Sequence, residues 1–235
     1  MDFSLWKNLF EPARIVIFAG HYGSGKSEIS VQYARLMAES GRRVLLADMD
    51  IVNPFFRSLD ARTLLEADGV HVVAPLFANT NVDVPALVPE ISSALQDSKT
   101  LVVLDVGGDG DGARVLGRYH RDIGKEELAM VFVFNASRPM TRTAQTANLQ
   151  MEEIALASRQ KFTHILNNTH LLDETEEALV VSGEGEALQL SALSHLPLAG
   201  SVVATETGNI PDGADATGSG IPRLPLMRTL GVHFG

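Results

Sequence analysis

The stretch Gly20-His21-Tyr22-Gly23-Ser24-Gly25-Lys26-Ser27 fits the spacing G-x-x-x-x-G-K-[ST]. That spacing suits phosphate chemistry. Glycines let successive backbone N–H groups turn inward around an anion, and a helix opening behind the loop adds the positive end of its dipole. Lys26 is expected to reach the β- and γ-phosphates, and Ser27 to hold Mg²⁺ through its hydroxyl. The plain alternative is a glycine-rich strand-to-helix turn with a capping serine. The context favours the phosphate loop, because a β-rich run precedes it and helical spacing follows.

Three carboxylates lie downstream at informative places. ADMDIVNPFFRS puts Asp48 and Asp50 two residues apart at the end of an apolar run. Positions i and i+2 of a strand share a face, so both could look toward a metal and a terminal phosphate. LVVLDVGGDGDG ends a second apolar run in Asp105, the pattern of a carboxylate that holds Mg²⁺ through water. Gly107 and Gly108 permit close backbone approach to a γ-phosphate. The acidic run Asp109-Gly110-Asp111 reads either as a mobile exposed stretch or as an ordered switch.

Such groups need a scaffold that brings distant strand ends to one edge. Short apolar runs at 14–19, 43–49, 70–75, 100–108, 129–137, 163–168 and 196–203 read as strands. Helical spacing at 26–40, with Gly41 as its stop, at 58–67, at 84–98 and at 141–160 alternates with them. Continuous apolar strands between helices predict an α/β fold. Its core is a three-layer, mostly parallel, doubly wound sheet of about seven strands with helices on both faces. The chain reads as one nucleotide-binding domain over 1–235, with a loop-rich C-terminal segment at 203–235, of which 203–222 is rich in Gly, Pro, Asp and Thr. The leucine periodicity within 141–158 reads as core.

Composition narrows the partners. Of 235 residues, 45% are hydrophobic and 20% charged, with a formal net charge of −10. That balance, and the lack of any basic run beyond Arg42-Arg43, argues against a nucleic-acid footprint. There are no cysteines, which excludes disulfides, thiolate metal sites and cysteine nucleophiles. No apolar run approaches a membrane span and no signal-peptide layout is visible, so a cytoplasmic protein that binds no membrane is expected.

The loop, Asp48-x-Asp50 and Asp105 together resemble the MinD/ParA/CobQ-CobB branch of P-loop ATPases, over roughly residues 14–203. The resemblance implies ATP and Mg²⁺ as cofactors. It places Asp48 near the metal, Asp50 in switch I near the attacking water, and Asp105 in the Walker B role. ILNN (165–168) resembles the strand end whose Asn contacts adenine, with Asn167 aligning best and Asn168 next. The GTP-selective N-K-x-D pattern is absent, since Thr169-His170 follow, and ATP is expected over GTP. The branch typically carries Lys-Gly where this chain has His21-Tyr22. That lysine reaches across a dimer to the partner's phosphates. His21 could still act as a cation beside a triphosphate, or His21 and Tyr22 could only shape the loop. A slower or differently triggered ATPase follows, and an ATP-dependent homodimer stays open.

Weaker candidates are Asn79, Asn81 and Asp83 after the third strand, which could touch a substrate or make Asx turns. Arg138 and Arg142 could bind an anion or a partner. His164 and His170 read as ordinary satisfied histidines. Two functions fit. The first is a nucleotide-gated switch for a protein partner, with loops 50–58 and 105–118 changing order on hydrolysis. The second is a synthetase that activates a small carboxylate, as in relatives similar to dethiobiotin synthetase and CobB, with a pocket near 76–90 and 107–118.

Overall fold

The computed structural model describes residues 3–49, 59–73, 88–108, 110–124, 127–206 and 220–227. Eight strands form one sheet: β1 (Ile15–Ala19), β2 (Arg43–Asp48), β3 (Val70–Val73), β4 (Thr100–Val106), β5 (Leu128–Phe134), β6 (His164–Asn167), β7 (Leu198–Ala204) and β8 (Arg223–Leu226). Their order across the sheet is β3-β2-β4-β1-β5-β6-β7-β8. Every neighbouring pair is parallel. The order reverses beside β1, and in open α/β sheets a ligand crevice lies outside the carboxyl ends at such a point.

Both faces are covered. Val16 and Phe18 of β1 pack with Val44, Leu46, Leu101 and Val103 under α1 (Ser4–Asn8), α2 (Lys26–Glu39) and α3 (Leu59–Ala67). Ile15, Ile17 and Ala19 face the other way. They share a core with α4 (Pro89–Gln96), α5 (Gly110–Arg118), α6 (His120–Ile123), α7 (Ala144–Ser158) and α8 (Glu177–Ser194). Burial on both faces explains why the central strands read as unbroken apolar runs. Gly41 ends α2 with φ 88° and its N–H on the Ala38 carbonyl, a left-handed stop that glycine adopts without strain.

The structure departs from the expectations in three places. First, the segment 203–235 holds β8, although RLPL looked like loop. Pro225 lacks a ladder N–H, which an edge strand tolerates. Its carbonyl takes hydrogen bonds from Trp6 Nε1 (2.8 Å) and Gln32 Nε2 (2.6 Å), side chains more than 190 residues away. Second, 105–118 is not one long loop, since α5 opens at Gly110. Third, the α7 leucines are not core. The buried stripe is Ala144, Ala147, Met151, Ile154 and Ser158, and Leu149 and Leu156 face solvent at 65% and 83% exposure. The leucines share a seven-residue period with the core stripe but lie on another face of the helix.

Candidate functional site

The site grows from the end of β1. Gly20 is buried where a Cβ would run into the Val133 carbonyl of β5. His21 to Ser24 form a tight turn, closed by Ser24 N–H on the His21 carbonyl at 3.0 Å. Gly23 takes φ 75° at its third position, as a type II turn requires. Gly25 follows with φ 85° as the N-cap of α2. Lys26 is 5% exposed and opens the helix, with Ser27 behind it.

Side chains from the neighbouring strand ends hold the loop by its carbonyls. Asn168 Nδ2 donates to Ser24 O at 2.6 Å, and Arg138 Nε donates to Gly23 O at 2.8 Å. Across a trans peptide the C=O and the next N–H point in opposite directions. The Asn168 bond therefore turns Gly25 N–H to the opposite side of the chain. Asn168 also lies against Gly25, where a Cβ would collide with its amide.

The carboxylates stand on the next strands. Asp48 of β2 is in register with Asp105 of β4, and Asp105 with Phe18 of β1. In-register partners on parallel strands leave the sheet on the same side. Phe18 lies in the core under α2, so both carboxylates are on the α2 face at the carboxyl end of the sheet. Both are fully buried, and Met49 N–H caps the Asp105 carbonyl at 2.8 Å. The edge thus gathers one buried ammonium and two buried carboxylates behind a glycine loop at a helix N-terminus. This arrangement has the chemistry to suit a polyphosphate with a divalent cation.

A family model described as the CobQ/CobB/MinD/ParA nucleotide binding domain matches residues 15–178. The chain belongs to this family. Comparison with curated proteins finds no match. Among solved structures it is similar to cell division protein FtsY from Thermotoga maritima (TM-score 0.56, 21% identity, covering 80% of this chain and 60% of that one). It is also similar to chloroplast FtsY from Physcomitrella patens (TM-score 0.52, 16% identity, 83% and 64%). A third is the signal recognition particle 54 kDa protein from Aeropyrum pernix K1, in complex with GDP (TM-score 0.52, 18% identity, 81% and 41%). The chain spans less than two thirds of each of these proteins, and at these identities the likeness concerns the fold. Family and fold together make it a P-loop nucleotide-binding domain of the SIMIBI class.

The donor set of this CobQ/CobB/MinD/ParA domain fits Mg²⁺. Two carboxylates and a serine hydroxyl are hard oxygen donors. Among the described residues no group of three or more His, Cys, Asp or Glu side chains could hold a metal. Gly108 packs on the loop so closely that a Cβ would strike the Gly20 carbonyl. On its other side the Gly108 carbonyl accepts from Gln150 Nε2 of α7 at 3.1 Å. A group touching Gly108 is thereby linked to α7.

Other expected residues are placed as follows. Asn167 is fully buried and faces inward. Its Nδ2 donates to Ser201 Oγ (2.9 Å), and its Oδ1 accepts from Thr169 Oγ1 (2.7 Å). Asn168 is the one of the pair that touches the loop. His21 Nδ1 donates to the Tyr22 carbonyl at 2.9 Å. Tyr22 is 57% exposed and does not pack into the loop. His170 approaches Gly25 through Nε2, while its Nδ1 accepts from Leu172 N–H at 3.3 Å. Arg142 lies apart from the loop, in a separate cavity of about 420 Å³ with Ser137, Thr169, Ser182 and Glu186. Asp50, Asn79, Asn81, Asp83 and Asp109 lie outside the described residues, as do 50–58 and most of the expected 76–90 pocket. Among the described residues no helix is long and apolar enough to cross a membrane.

Sequence reasoning missed Asn135 and Gln150. Asn135 is fully buried at the end of β5, and its Oδ1 accepts from Ser137 N–H at 2.9 Å. An Asn closing an apolar strand before Ala-Ser was a visible signal for it. Gln150 had none, because a glutamine in a helix looks like surface.

Proposed function

We propose that this protein binds Mg²⁺–ATP and hydrolyses it slowly, acting as a nucleotide-gated switch for a protein partner. The observation that carries the reading is the edge formed by Lys26, Asp48 and Asp105 behind the Gly20–Ser27 loop. Lys26 neutralises phosphate charge, and Ser27, Asp48 and Asp105 would hold Mg²⁺ directly or through water. The ion would shield the β- and γ-oxygens and polarise the terminal phosphorus. The switch character follows from Gly108. Its position between the loop and Gln150 gives a terminal phosphate a route to α7, whose exposed Leu149 and Leu156 offer an apolar output face. ATP is favoured over GTP because Asn168-Thr169-His170 supplies no N-K-x-D carboxylate for a guanine edge.

A second reading, the carboxylate-activating synthetase, draws on the cavity beside β5 and β6. Arg142, Ser137 and Ser182 line it beside Glu186, whose Oε2 accepts from Ala144 N–H, so a cation with hydroxyls is left to meet an anionic small molecule.

Light scattering with Mg²⁺ and a non-hydrolysable ATP analogue, against Mg²⁺–ADP, tests the switch. The expected result is a change of mass or protease sensitivity with the analogue only, lost in Lys26→Ala. Unchanged behaviour with binding confirmed by calorimetry would shift the function to the synthetase, and turnover would then need an added carboxylate.

A further inference from the structure

Helix α8 is apolar on two opposite sides. Its buried stripe is Val180, Gly183, Ala187 and Leu190, with Glu184 beside it. Two residues along a helix turn through about 200°, so Ala178, Val181, Gly185 and Leu188 lie on the other side, and Ala192 continues their line. All five are exposed, Val181 at 44% and Leu188 at 43%. Their alternating spacing of three and four residues is that of a helix-pairing heptad. Small residues hold one core position, and Val181 and Leu188 hold the other. A helix that is apolar all round belongs in a packed environment, and the sheet covers only one side of this one.

The two glycines of α8 differ in what requires them. A Cβ at Gly183 would strike the Thr169 side chain, so packing within the chain demands that glycine. No described residue lies within 4 Å of a Cβ at Gly185. Glycine weakens a helix interior relative to alanine, and no packing among the described residues calls for it here. On an exposed face it suits the close approach of another backbone. Charge points the same way. With a formal net charge of −10, two copies repel over most of their surface. The carboxylates of α8 are engaged within the chain: Glu177 and Glu184 pair with Arg223, and Glu186 Oε2 accepts from Ala144 N–H. From Ala187 to Ser194 the helix has no charged residue. Two copies can meet there without opposing like charges, and the face offers no cation to an anionic lipid surface.

We propose that the outer face of α8 is a self-association surface, on which a second copy of this chain packs its own α8 antiparallel about a two-fold axis. A two-fold contact must be self-complementary, and this face is. With Gly185 opposite the second copy's Leu188, Val181 falls opposite the second copy's Ala192, and symmetry repeats both pairs. Each layer sets a large side chain against a small one, which lets the helices approach closely. The footprint, one face of an 18-residue helix, is at the small end for protein contacts, so the dimer should be weak, with a Kd in the micromolar range. Association needs no nucleotide and is independent of the nucleotide reading above.

Sedimentation of the full chain tests this over a hundredfold range of concentration, without nucleotide and with Mg²⁺ and an ATP analogue. Wild type should pass from monomer to dimer alike in both conditions. Leu188→Glu places a charge in two symmetric layers and should weaken the dimer at least about tenfold. Gly185→Gln should do the same through bulk. It should also raise the monomer's melting temperature, because glutamine is the better helix former, so loss of the dimer then cannot come from unfolding. Leu5→Glu, on α1 and 49% exposed in wild type, should leave the dimer unchanged. The chain has no cysteine, so an introduced pair reports the register. Val181→Cys combined with Ala192→Cys should give interchain disulfides under mild oxidation. Neither single variant should, since like positions of the two copies lie about 16 Å apart along the helices. Wild type that stays monomeric, or a dimer that survives both α8 variants, would overturn the proposal. A dimer seen only with the analogue and unmoved by the α8 variants would place association at the nucleotide edge instead. Monomeric wild type that floats with neutral lipid vesicles, and loses this in Leu188→Glu, would give the face to a membrane instead.

Discussion

Two regions bury charge, in opposite ways. At the far edge of the sheet, Arg223 of β8 is 1% exposed and Glu184 of α8 is 2% exposed, 3.1 Å apart, with Glu177 adding a second contact at 2.7 Å. Burial alone would lower the Arg223 pKa, but the hydrogen bonds it donates to the Glu177 and Glu184 carboxylates raise it above its ordinary value. Both partners of Arg223 come from within the chain. At the loop edge, burial falls on two carboxylates of one sign and a single lysine. The first arrangement closes a fold. The second leaves a charge balance that a divalent cation and a phosphate chain can change, as ligand binding requires.

Separating stability from binding breaks the comparison most directly. Lys26→Ala should lower single-turnover hydrolysis per folded chain about 100- to 1000-fold, a loss of the size seen when one charge-stabilising donor is removed. Arg223→Met should act on stability instead. Leaving Glu184 buried without its partner costs about 3–5 kcal/mol, readable in urea unfolding, while nucleotide affinity per folded chain holds. If Arg223→Met abolished binding in folded protein, the two regions would not be independent.

Asp105→Asn sharpens the loop side. It should remove Mg²⁺-dependent stabilisation by nucleotide, yet leave the nucleotide-free protein as stable as wild type or slightly more so, since one of two like charges is gone. A clear drop in ligand-free melting temperature would mean that Asp105 serves the fold. Gln150→Ala tests the link to α7. The ATP analogue should still bind within about threefold, while nucleotide-dependent protease protection of α7 disappears; retained protection would place the route elsewhere.

The smallest effect concerns pH. Burial lowers the His164 pKa, in a site where Phe10 stacks edge-on at 5.5 Å. The unfolded chain then binds the proton more readily. The His164 contribution is fully present above the unfolded value of about 6.5 and is lost as pH falls through the folded value. The wild-type melting temperature should therefore drop more steeply below pH 6.5 than that of His164→Asn. Parallel curves would assign the acid sensitivity to other groups.

Much of the loop edge was legible because it depends on local pattern. A phosphate loop needs glycines at fixed offsets between a strand and a helix. Asp48 and Asp105 close apolar runs whose length and β-branched content mark buried parallel strands. Legibility failed where a residue works through a distant contact. RLPL becomes β8 only because Trp6, Gln32, Glu177 and Glu184 receive it. Leu149 and Leu156 looked like core because spacing gives a helix its faces without saying which one meets the sheet.

The sequence by itself determined the phosphate loop, the strand-ending carboxylates and the doubly wound class, since these follow from backbone sterics and short-range periodicity. Only the tertiary structure decided that Asn168 turns to the loop while Asn167 turns away, that Arg138 rests on Gly23, and that Gln150 holds Gly108. The reason is physical. Those choices depend on which strand ends become neighbours, and the packing of helices on both sheet faces sets that order.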